Sequence, residues 1–164
     1  METKSSILLK YEEYRGKEIK PNEKYNIKPT PRQEKIPGFS QSELNCATVN
    51  LIGAGGLGVE IGEGLTMKGL GYLNIFAEDI VELSNLNRQL FYKEDLGKNK
   101  AISLAKNLMR GCIWSTIIRG YPYMFEDAVK LELIPNCDVA VCGVDSNASR
   151  KFISTPITMK KIYL

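Results

Sequence analysis

An apolar run that opens into a glycine-rich loop places the strongest constraint on the fold of this chain. The run covers residues 47–52, and the loop G-A-G-G-L-G follows at residues 53–58. A buried strand that ends in G-x-G-x-x-G and leads into a helix is typical of a nucleotide pyrophosphate site, because the helix N-terminus offers unpaired N–H groups and a positive dipole. A turn in which glycine serves only packing is the alternative. The loop predicts four nucleotide-binding residues, which are Gly53, Gly55, Gly56 and Gly58.

The length and the charge of the chain limit its class. Its 164 residues suffice for about one domain, and 43% of them are hydrophobic, as in an ordinary globular core. The net charge of +3 is too small to indicate a nucleic-acid partner. The sequence has no apolar run of about 18 residues and no charged-then-apolar N-terminus. We therefore expect a soluble, cytoplasmic protein that binds neither nucleic acid nor membranes.

The histidine and cysteine content excludes several kinds of catalytic site. The chain contains no histidine, which removes Ser-His-Asp and Cys-His chemistry. Its four cysteines include no C-x-x-C pair, so a structural zinc site is not expected. Any reaction at the glycine loop must therefore proceed without an imidazole base.

Hydrophobic periodicity divides the chain into an arm and an alternating α/β region. Residues 1–30 have no sustained period and carry scattered prolines, so we expect a flexible arm. The pattern then predicts four strands, at residues 47–52, 72–76, 112–118 and 138–142. Helices are predicted after the glycine loop and at residues 97–110 and 125–133, with a short helix or turn at 41–45. Right-handed crossovers then give a Rossmann-like parallel sheet of order 3-2-1-4 with helices on both faces.

A crevice is expected where this strand order reverses. The first and fourth strands are neighbours whose connections leave in opposite directions, so a crevice opens at their C-terminal ends. The glycine loop flanks it on one side, and residues 143–147, which include Asp145, flank it on the other. An aspartate just after a strand can instead cap the next helix, so topology alone leaves both roles open for Asp145.

The segment after the second predicted strand narrows the class of protein further. It reads D-I-V-E-L-S-N-L-N-R-Q-L-F at residues 79–91, and G-K-N-K-A follows from residue 97. Together with G-A-G-G-L-G, these residues resemble the ThiF/MoeB/HesA superfamily, the adenylating domains of ubiquitin-activating-type enzymes. R-Q at residues 32 and 33 and C-G-V-D-S-N-A-S-R ending at Arg150 are similar to further family segments. The resemblance implies that residues 31–164 are part of such an ATP-binding adenylation domain.

The resemblance also implies an activity and a set of partners. Family members transfer AMP from ATP to the C-terminal carboxylate of a ubiquitin-like or sulfur-carrier protein and release pyrophosphate. A carboxylate is already ionised at neutral pH, so this nucleophile needs no general base. The reaction does require cations and Mg²⁺ to stabilise charge on the phosphates. A homodimer or heterodimer is implied by the resemblance alone.

The family's site residues can be matched to this sequence position by position. Arg88 and Lys100 match its phosphate-binding pair, and Asn85 matches its nucleotide-contacting asparagine. Asp145 matches the magnesium-binding aspartate, and Arg32 matches an arginine that reaches the phosphates in a neighbouring subunit. The resemblance thus implies that Arg88, Lys100, Asp145 and Arg32 serve catalysis. The alternatives are a solvent-facing helix cation at Lys100, a surface ion pair at Arg88 and an ordinary linker arginine at Arg32.

Two departures from the family pattern keep other functions open. The acid that usually binds the ribose at the end of the second strand is replaced by Ala77, and Asp79 is expected to share the ribose role. The chain also ends 19 residues after Asp145, before the segments that receive the carrier's tail in the family. A non-catalytic nucleotide-binding or partner subunit is therefore the first alternative. A nicotinamide-dependent oxidoreductase is the second, supported only by the glycine loop.

Overall fold

One six-stranded sheet organises the computed structural model, which describes residues 11–17 and 32–144 and the backbone of residues 162 and 163. The strands are β1 (Glu12–Arg15), β2 (Thr48–Ile52), β3 (Tyr72–Phe76), β4 (Ile117–Tyr121), β5 (Val139–Cys142) and β6 (Ile162–Tyr163). The α-helices are α1 (Gln41–Cys46), α2 (Gly56–Met67), α3 (Lys100–Leu108) and α4 (Phe125–Lys130). Single 3₁₀ turns lie at Gln33–Lys35, Leu83–Asn85 and Lys93–Asp95.

The strand order is β1-β4-β3-β2-β5-β6. The four central strands are parallel to one another, and their order β4-β3-β2-β5 confirms the predicted order 3-2-1-4. Apolar side chains of α2 and α3 share a buried cluster with one face of the sheet, and those of α4 share a second cluster with the other face. The expected Rossmann-like arrangement is therefore confirmed. β6 lies parallel to β5 at one edge, and β1 lies antiparallel to β4 at the other.

The edge formed by β1 and β4 corrects two expectations. Residues 1–30 were expected to be a flexible arm without a strand, but Glu12–Arg15 within them forms β1. The third predicted strand runs from Ile117 to Tyr121 rather than over residues 112–118. Trp114 explains the shift, because its buried indole donates a hydrogen bond from Nε1 to the Met67 carbonyl oxygen (3.0 Å). The segment before β4 therefore packs on the C-terminal end of α2 instead of pairing with β3.

Helices α2 and α3 form the layer that supports the glycine loop. α3 buries Ala101, Leu104 and Leu108 at the predicted helical spacing, although the helix is shorter than residues 97–110. α2 lies close to the sheet through Gly62, where a Cβ atom would be 3.4 Å from Leu51 Cδ2. In the part of the chain that the structure describes, no helix is long and apolar enough to span a membrane.

A pair of asparagines crosses the centre of the sheet. Asn50 of β2 and Asn74 of β3 are register partners, and neither side chain is exposed. Asn74 Nδ2 donates to Asn50 Oδ1 (2.8 Å), and Asn50 Nδ2 donates to the Pro135 carbonyl oxygen (3.0 Å). Buried amides need such partners to offset their loss of water. The pair therefore joins the two central strands to the loop before β5.

Candidate functional site

The glycine loop after β2 contains two glycines that the fold itself requires. Gly53 has a φ of +101°, a left-handed conformation that side chains disfavour, and its N–H donates to the Phe76 carbonyl oxygen (2.8 Å). A Cβ atom on Gly58 would lie 2.1 Å from the Gly53 carbonyl oxygen. These two positions are therefore explained by backbone geometry and by packing inside the protein.

Gly55 and Gly56 differ from that pair. In residues 32–144, and apart from each glycine's own chain neighbours and the backbone of α2, no atom lies within 4 Å of the position that a Cβ would occupy on either residue. Gly55 is the N-cap of α2, and the described residues supply this helix with neither a side-chain cap nor an acid in its first turn. Open space thus adjoins backbone N–H donors at the positive end of a twelve-residue helix. This arrangement suits an anionic ligand.

A cavity of about 430 Å³ lies over this loop. It is lined by residues 53–57, by Gly143 and Val144 after β5, and by four of the polar residues that the sequence predicted. Those four are Asp79, Asn85, Arg88 and Lys100. The expected crevice is therefore present, and it brings together every predicted binding residue except Gly58, which lies buried beneath the loop.

Arg88 and Asn85 come from the turn that follows β3. Asn85 is buried, and its Oδ1 accepts a hydrogen bond from the Glu82 N–H (2.9 Å). Arg88 is exposed, and its Nη1 donates to the Ser84 carbonyl oxygen (3.0 Å) and to Asn87 Oδ1 (3.3 Å). These two contacts of the guanidinium use one nitrogen of a five-donor group. Asn85 shapes the turn that presents Arg88 to the cavity.

Lys100 is the first residue of α3 and supplies a second cation. Its side chain is 13% exposed, and its Nζ lies 3.5 Å from Asp79 Oδ2. A cation at a helix N-terminus opposes the helix dipole, so the stability of α3 does not account for a lysine at this position. Lys100, Arg88 and the starts of two helices therefore raise the positive potential of the cavity, and Asp79 offsets part of it.

Asn99 adjoins the site without lining either cavity, and its contacts were not predicted from the sequence. Its side chain caps α3 by accepting a hydrogen bond from the Ile102 N–H at Oδ1 (3.1 Å). An asparagine directly before an apolar helical repeat is a known signal for a helix start, so the cap was detectable. The contacts of its amide nitrogen with the end of β3 had no signal in the sequence.

A second cavity of about 180 Å³ adjoins the first and shares Gly53, Asp79 and Val144 with it. Its apolar wall includes Phe76 and Phe125, whose rings meet edge to face with their centroids 5.5 Å apart. Three carboxylate side chains also line it, those of Glu78, Asp79 and Glu126. The cavity thus combines an apolar wall with hydrogen-bond acceptors.

The structure places Ala77 in this second cavity, at the position where the family pattern has an acid. Ala77 is 8% exposed, and its methyl group offers no acceptor. Its backbone oxygen accepts a hydrogen bond from Asn99 Nδ2 (2.8 Å). A side-chain acceptor for a ribose in this cavity must therefore come from other residues.

One predicted residue, Arg32, lies outside both cavities. Arg32 is exposed, and its neighbour Gln33 donates from Nε2 to the Lys68 carbonyl oxygen (3.4 Å) at the C-terminal end of α2. The twelve residues of α2 separate that end from the glycine loop by about 18 Å. Asp145 lies outside the described residues. Residues 11–17 and 32–144 hold no group of three or more acids or cysteines arranged to bind a metal ion.

Comparisons with known proteins agree with this geometry. The sequence model of the ThiF family matches residues 28–164. Adenylyltransferase and sulfurtransferase MOCS3 of Dictyostelium discoideum is 35% identical over 141 residues, which cover 83% of this chain and 32% of that protein. Sulfur carrier protein adenylyltransferase of Thermus thermophilus is 33% identical over 117 residues, which cover 70% of this chain and 42% of that protein.

Solved structures of E. coli MccB share the fold. One superimposes with a TM-score of 0.59 at 28% identity and covers 67% of this chain and 33% of the MccB chain. Another, of MccB with ATP, has a TM-score of 0.55 at 28% identity and covers 66% of this chain and 32% of that chain. The chain thus spans about a third of the length of MccB and of MOCS3. On its sequence, its sheet and its glycine-loop crevice, the chain belongs to the ThiF family.

Proposed function

We propose that this chain provides the ATP-binding part of an adenylyltransferase that activates the C-terminal carboxylate of a ubiquitin-like or sulfur-carrier protein. One observation carries the proposal: a single crevice combines an open glycine loop with two cations and an adjoining cavity that has an apolar wall. The similar proteins support it, because one of them is a sulfur carrier protein adenylyltransferase and another, MccB, has a solved structure with ATP.

The residues of the crevice fit the parts of ATP. The open backbone at Gly55 and Gly56, together with Arg88 and Lys100, offers donors and positive charge for the phosphates. The apolar wall of the second cavity suits the base. Because Ala77 has no acceptor, we assign the ribose hydroxyls to the carboxylates beside it, Asp79 among them.

The proposed reaction is a nucleotidyl transfer. A carboxylate oxygen of the carrier attacks the α-phosphorus of ATP, the bond from that phosphorus to the bridging oxygen breaks, and pyrophosphate leaves with the electron pair. No proton moves, which suits a chain without histidine. Arg88 and Lys100 stabilise the negative charge that develops on the phosphates.

We assign Mg²⁺ to Asp145, a residue outside the described part of the chain. Val144, its neighbour in the sequence, lines both cavities. In phosphate sites Mg²⁺ is held by one or two carboxylates together with the phosphates, and it supplies further charge neutralisation there. A single aspartate is enough for that role.

We also propose that Arg32 acts in the crevice of a second subunit. The position of its neighbour Gln33 at the far end of α2 supports this, because it separates Arg32 from the glycine loop of its own chain. A homodimer or a heterodimer is the assembly that this role requires. Sedimentation of the chain, alone and with candidate partner chains, tests the assembly directly.

Carrier-dependent ATP–pyrophosphate exchange tests the function, with ubiquitin-like and sulfur-carrier proteins that end in glycine as substrates. We expect Arg88→Ala and Asp145→Ala each to lower exchange by about 100-fold, the effect of removing one charge-stabilising group. Lys98→Ala is the matched control for Lys100→Ala, because Lys98 is exposed and does not line either cavity. Full exchange in both Arg88→Ala and Asp145→Ala would contradict the proposal. ATP binding without exchange by any carrier would instead identify a nucleotide-binding subunit.

A further inference from the structure

The side chain of Asn99 joins the end of one strand to the start of one helix. Its Nδ2 lies within hydrogen-bond distance of three successive carbonyl oxygens, those of Ala77 (2.8 Å), Glu78 (3.1 Å) and Asp79 (3.3 Å), which share its two N–H groups. Its Oδ1 accepts from the Ile102 N–H in the first turn of α3. Both ends of one amide are therefore used, and they hold two elements that are separated by more than twenty residues in the sequence.

Backbone hydrogen bonds on both sides of Asn99 reinforce this junction between the end of β3 and the start of α3. The Lys100 N–H donates to the Asp79 carbonyl oxygen (2.8 Å), so that oxygen accepts from both residue 99 and residue 100. On the other side of Asn99, the Val81 N–H donates to the Lys98 carbonyl oxygen (2.8 Å). The point at which α3 enters the crevice is thus fixed relative to residues 77–81.

Lys100 depends on this junction more than on its ion pair. Its Nζ lies 3.5 Å from an Asp79 carboxylate whose side chain is 67% exposed, and solvent screens such a pair strongly. The dipole of α3 also opposes a cation at its first residue. Backbone placement, rather than attraction between side chains, must therefore keep the ammonium group within the cavity wall.

We propose that Asn99 is a positioning residue that sets where the ammonium group of Lys100 stands in the crevice. The proposal rests on the adenylyltransferase function above, in which Lys100 binds phosphate. Asn99 itself caps α3 and does not line either cavity. It acts on the nucleotide only through Lys100 and through the strand end that it holds.

Asn99→Ser separates this role from helix capping. Serine caps helices about as well as asparagine, so the start of α3 keeps its cap. The hydroxyl group is shorter and has a single donor, and it cannot replace an amide that spans three carbonyls. Ser40→Ala is the control for a lost cap elsewhere, because Ser40 caps α1 by accepting from the Glu43 N–H.

A double-mutant cycle with Lys100→Ala tests the proposal, with exchange rate, KM for ATP and melting temperature measured for each variant. We expect Asn99→Ser to lower the exchange rate by about tenfold in the wild-type background, as for a misplaced catalytic group. In the Lys100→Ala background the same substitution should change the rate by less than about twofold. Ser40→Ala should lower the melting temperature without changing the rate of the folded enzyme.

The outcomes separate this proposal from the function on which it rests. Equal losses in both backgrounds, or a loss that follows the unfolded fraction, would overturn the role of Asn99 and leave the adenylyltransferase intact. A wild-type chain that binds ATP without exchange would overturn the adenylyltransferase function. In that case the double-mutant cycle is repeated with ATP affinity, measured by calorimetry, in place of the exchange rate. Coupling between Asn99 and Lys100 in that affinity would support the positioning role. Additive losses of affinity, or a chain that binds no ATP, would overturn it.

Discussion

The glycines of the loop serve two different purposes at the residue scale. Gly53 and Gly58 are needed by the fold, the first for its positive φ and the second for its contact with a backbone oxygen. Gly55 and Gly56 adjoin open space, so the protein gains nothing in packing from their lack of a side chain. The space in front of these two residues is therefore available to a ligand.

This difference predicts opposite results for two alanine substitutions. Gly56→Ala should leave the free energy of unfolding within about 1 kcal/mol of wild type, because alanine favours helices. The added methyl group should weaken ATP binding by tenfold or more, which is about 1.4 kcal/mol. Gly58→Ala should destabilise the fold by about 1 to 3 kcal/mol through overpacking. Urea denaturation and calorimetry with ATP measure both effects, and normal ATP affinity in a folded Gly56→Ala variant would refute the assignment.

Individual site residues could be predicted where they belong to a short sequence motif. S-N-L-N-R-Q and G-K-N-K identified Asn85, Arg88 and Lys100, and the structure places all three on one cavity. The bonds of Asn99 to the end of β3 were not predictable, because an amide that reaches back twenty or more residues has no period or spacing. The motif gives the identity of such a residue but not its partners.

At the scale of elements, β1 is a strand that the hydrophobic pattern could not reveal. Its sequence E-E-Y-R has one apolar side chain, Tyr14, which packs against the core. The strand is attached by its ladder to β4 and by Arg119 Nε, which donates to Glu13 Oε2 (2.7 Å). Charged residues are common on edge strands because they discourage further pairing, and they remove the alternation that predicts a strand.

The attachment of β1 should weaken in acid. The hydrogen bond from Arg119 holds the pKa of Glu13 below its ordinary value of 4.5. A carboxyl with a lowered pKa in the folded state contributes stability above about pH 4.5, and this contribution is lost as the pH falls through the lowered value. We expect Glu13→Gln to cost about 1 kcal/mol of unfolding free energy at pH 7 and progressively less below pH 4.5.

Denaturant unfolding between pH 7 and pH 3 measures this difference. Glu60→Gln is the control for loss of a carboxylate, because Glu60 is exposed on α2. A cost of Glu13→Gln that stays constant across the pH range would show that the pair with Arg119 does not attach β1.

At the scale of the whole molecule, the strand order produces the site. Because β2 and β5 are neighbours whose connections leave in opposite directions, their C-terminal ends open onto one crevice, and the loops after them line it. This much followed from the order of strands and helices along the chain. The separate cavity beside Phe125 did not, since its walls come from the packing of α4 on β3.

Ligand stabilisation of the intact fold distinguishes ATP from a nicotinamide cofactor. A ligand present at 100 times its dissociation constant stabilises the folded state by about 2.7 kcal/mol. For a chain of this size that corresponds to a rise in melting temperature of about 5 to 10 °C. We expect ATP to produce this rise in the wild type, with a smaller rise in Arg88→Ala. A rise with NADH and none with ATP would favour an oxidoreductase.

The buried asparagine pair fixes the register between β2 and β3, the two strands whose C-terminal ends lead into the crevice. The glycine loop leaves β2 at Gly53, and the residues proposed to contact the ribose leave β3 at Ala77. A slip of one residue between these strands would turn Asn50 or Asn74 toward the opposite face of the sheet, which packs against α2 and α3, and would break their mutual hydrogen bond. Side chains at 77–79 can therefore change, as the alanine at 77 illustrates, without shifting the loop along the strand. In this chain, therefore, the residues that fix the register of the two strands are different from the residues that line the site.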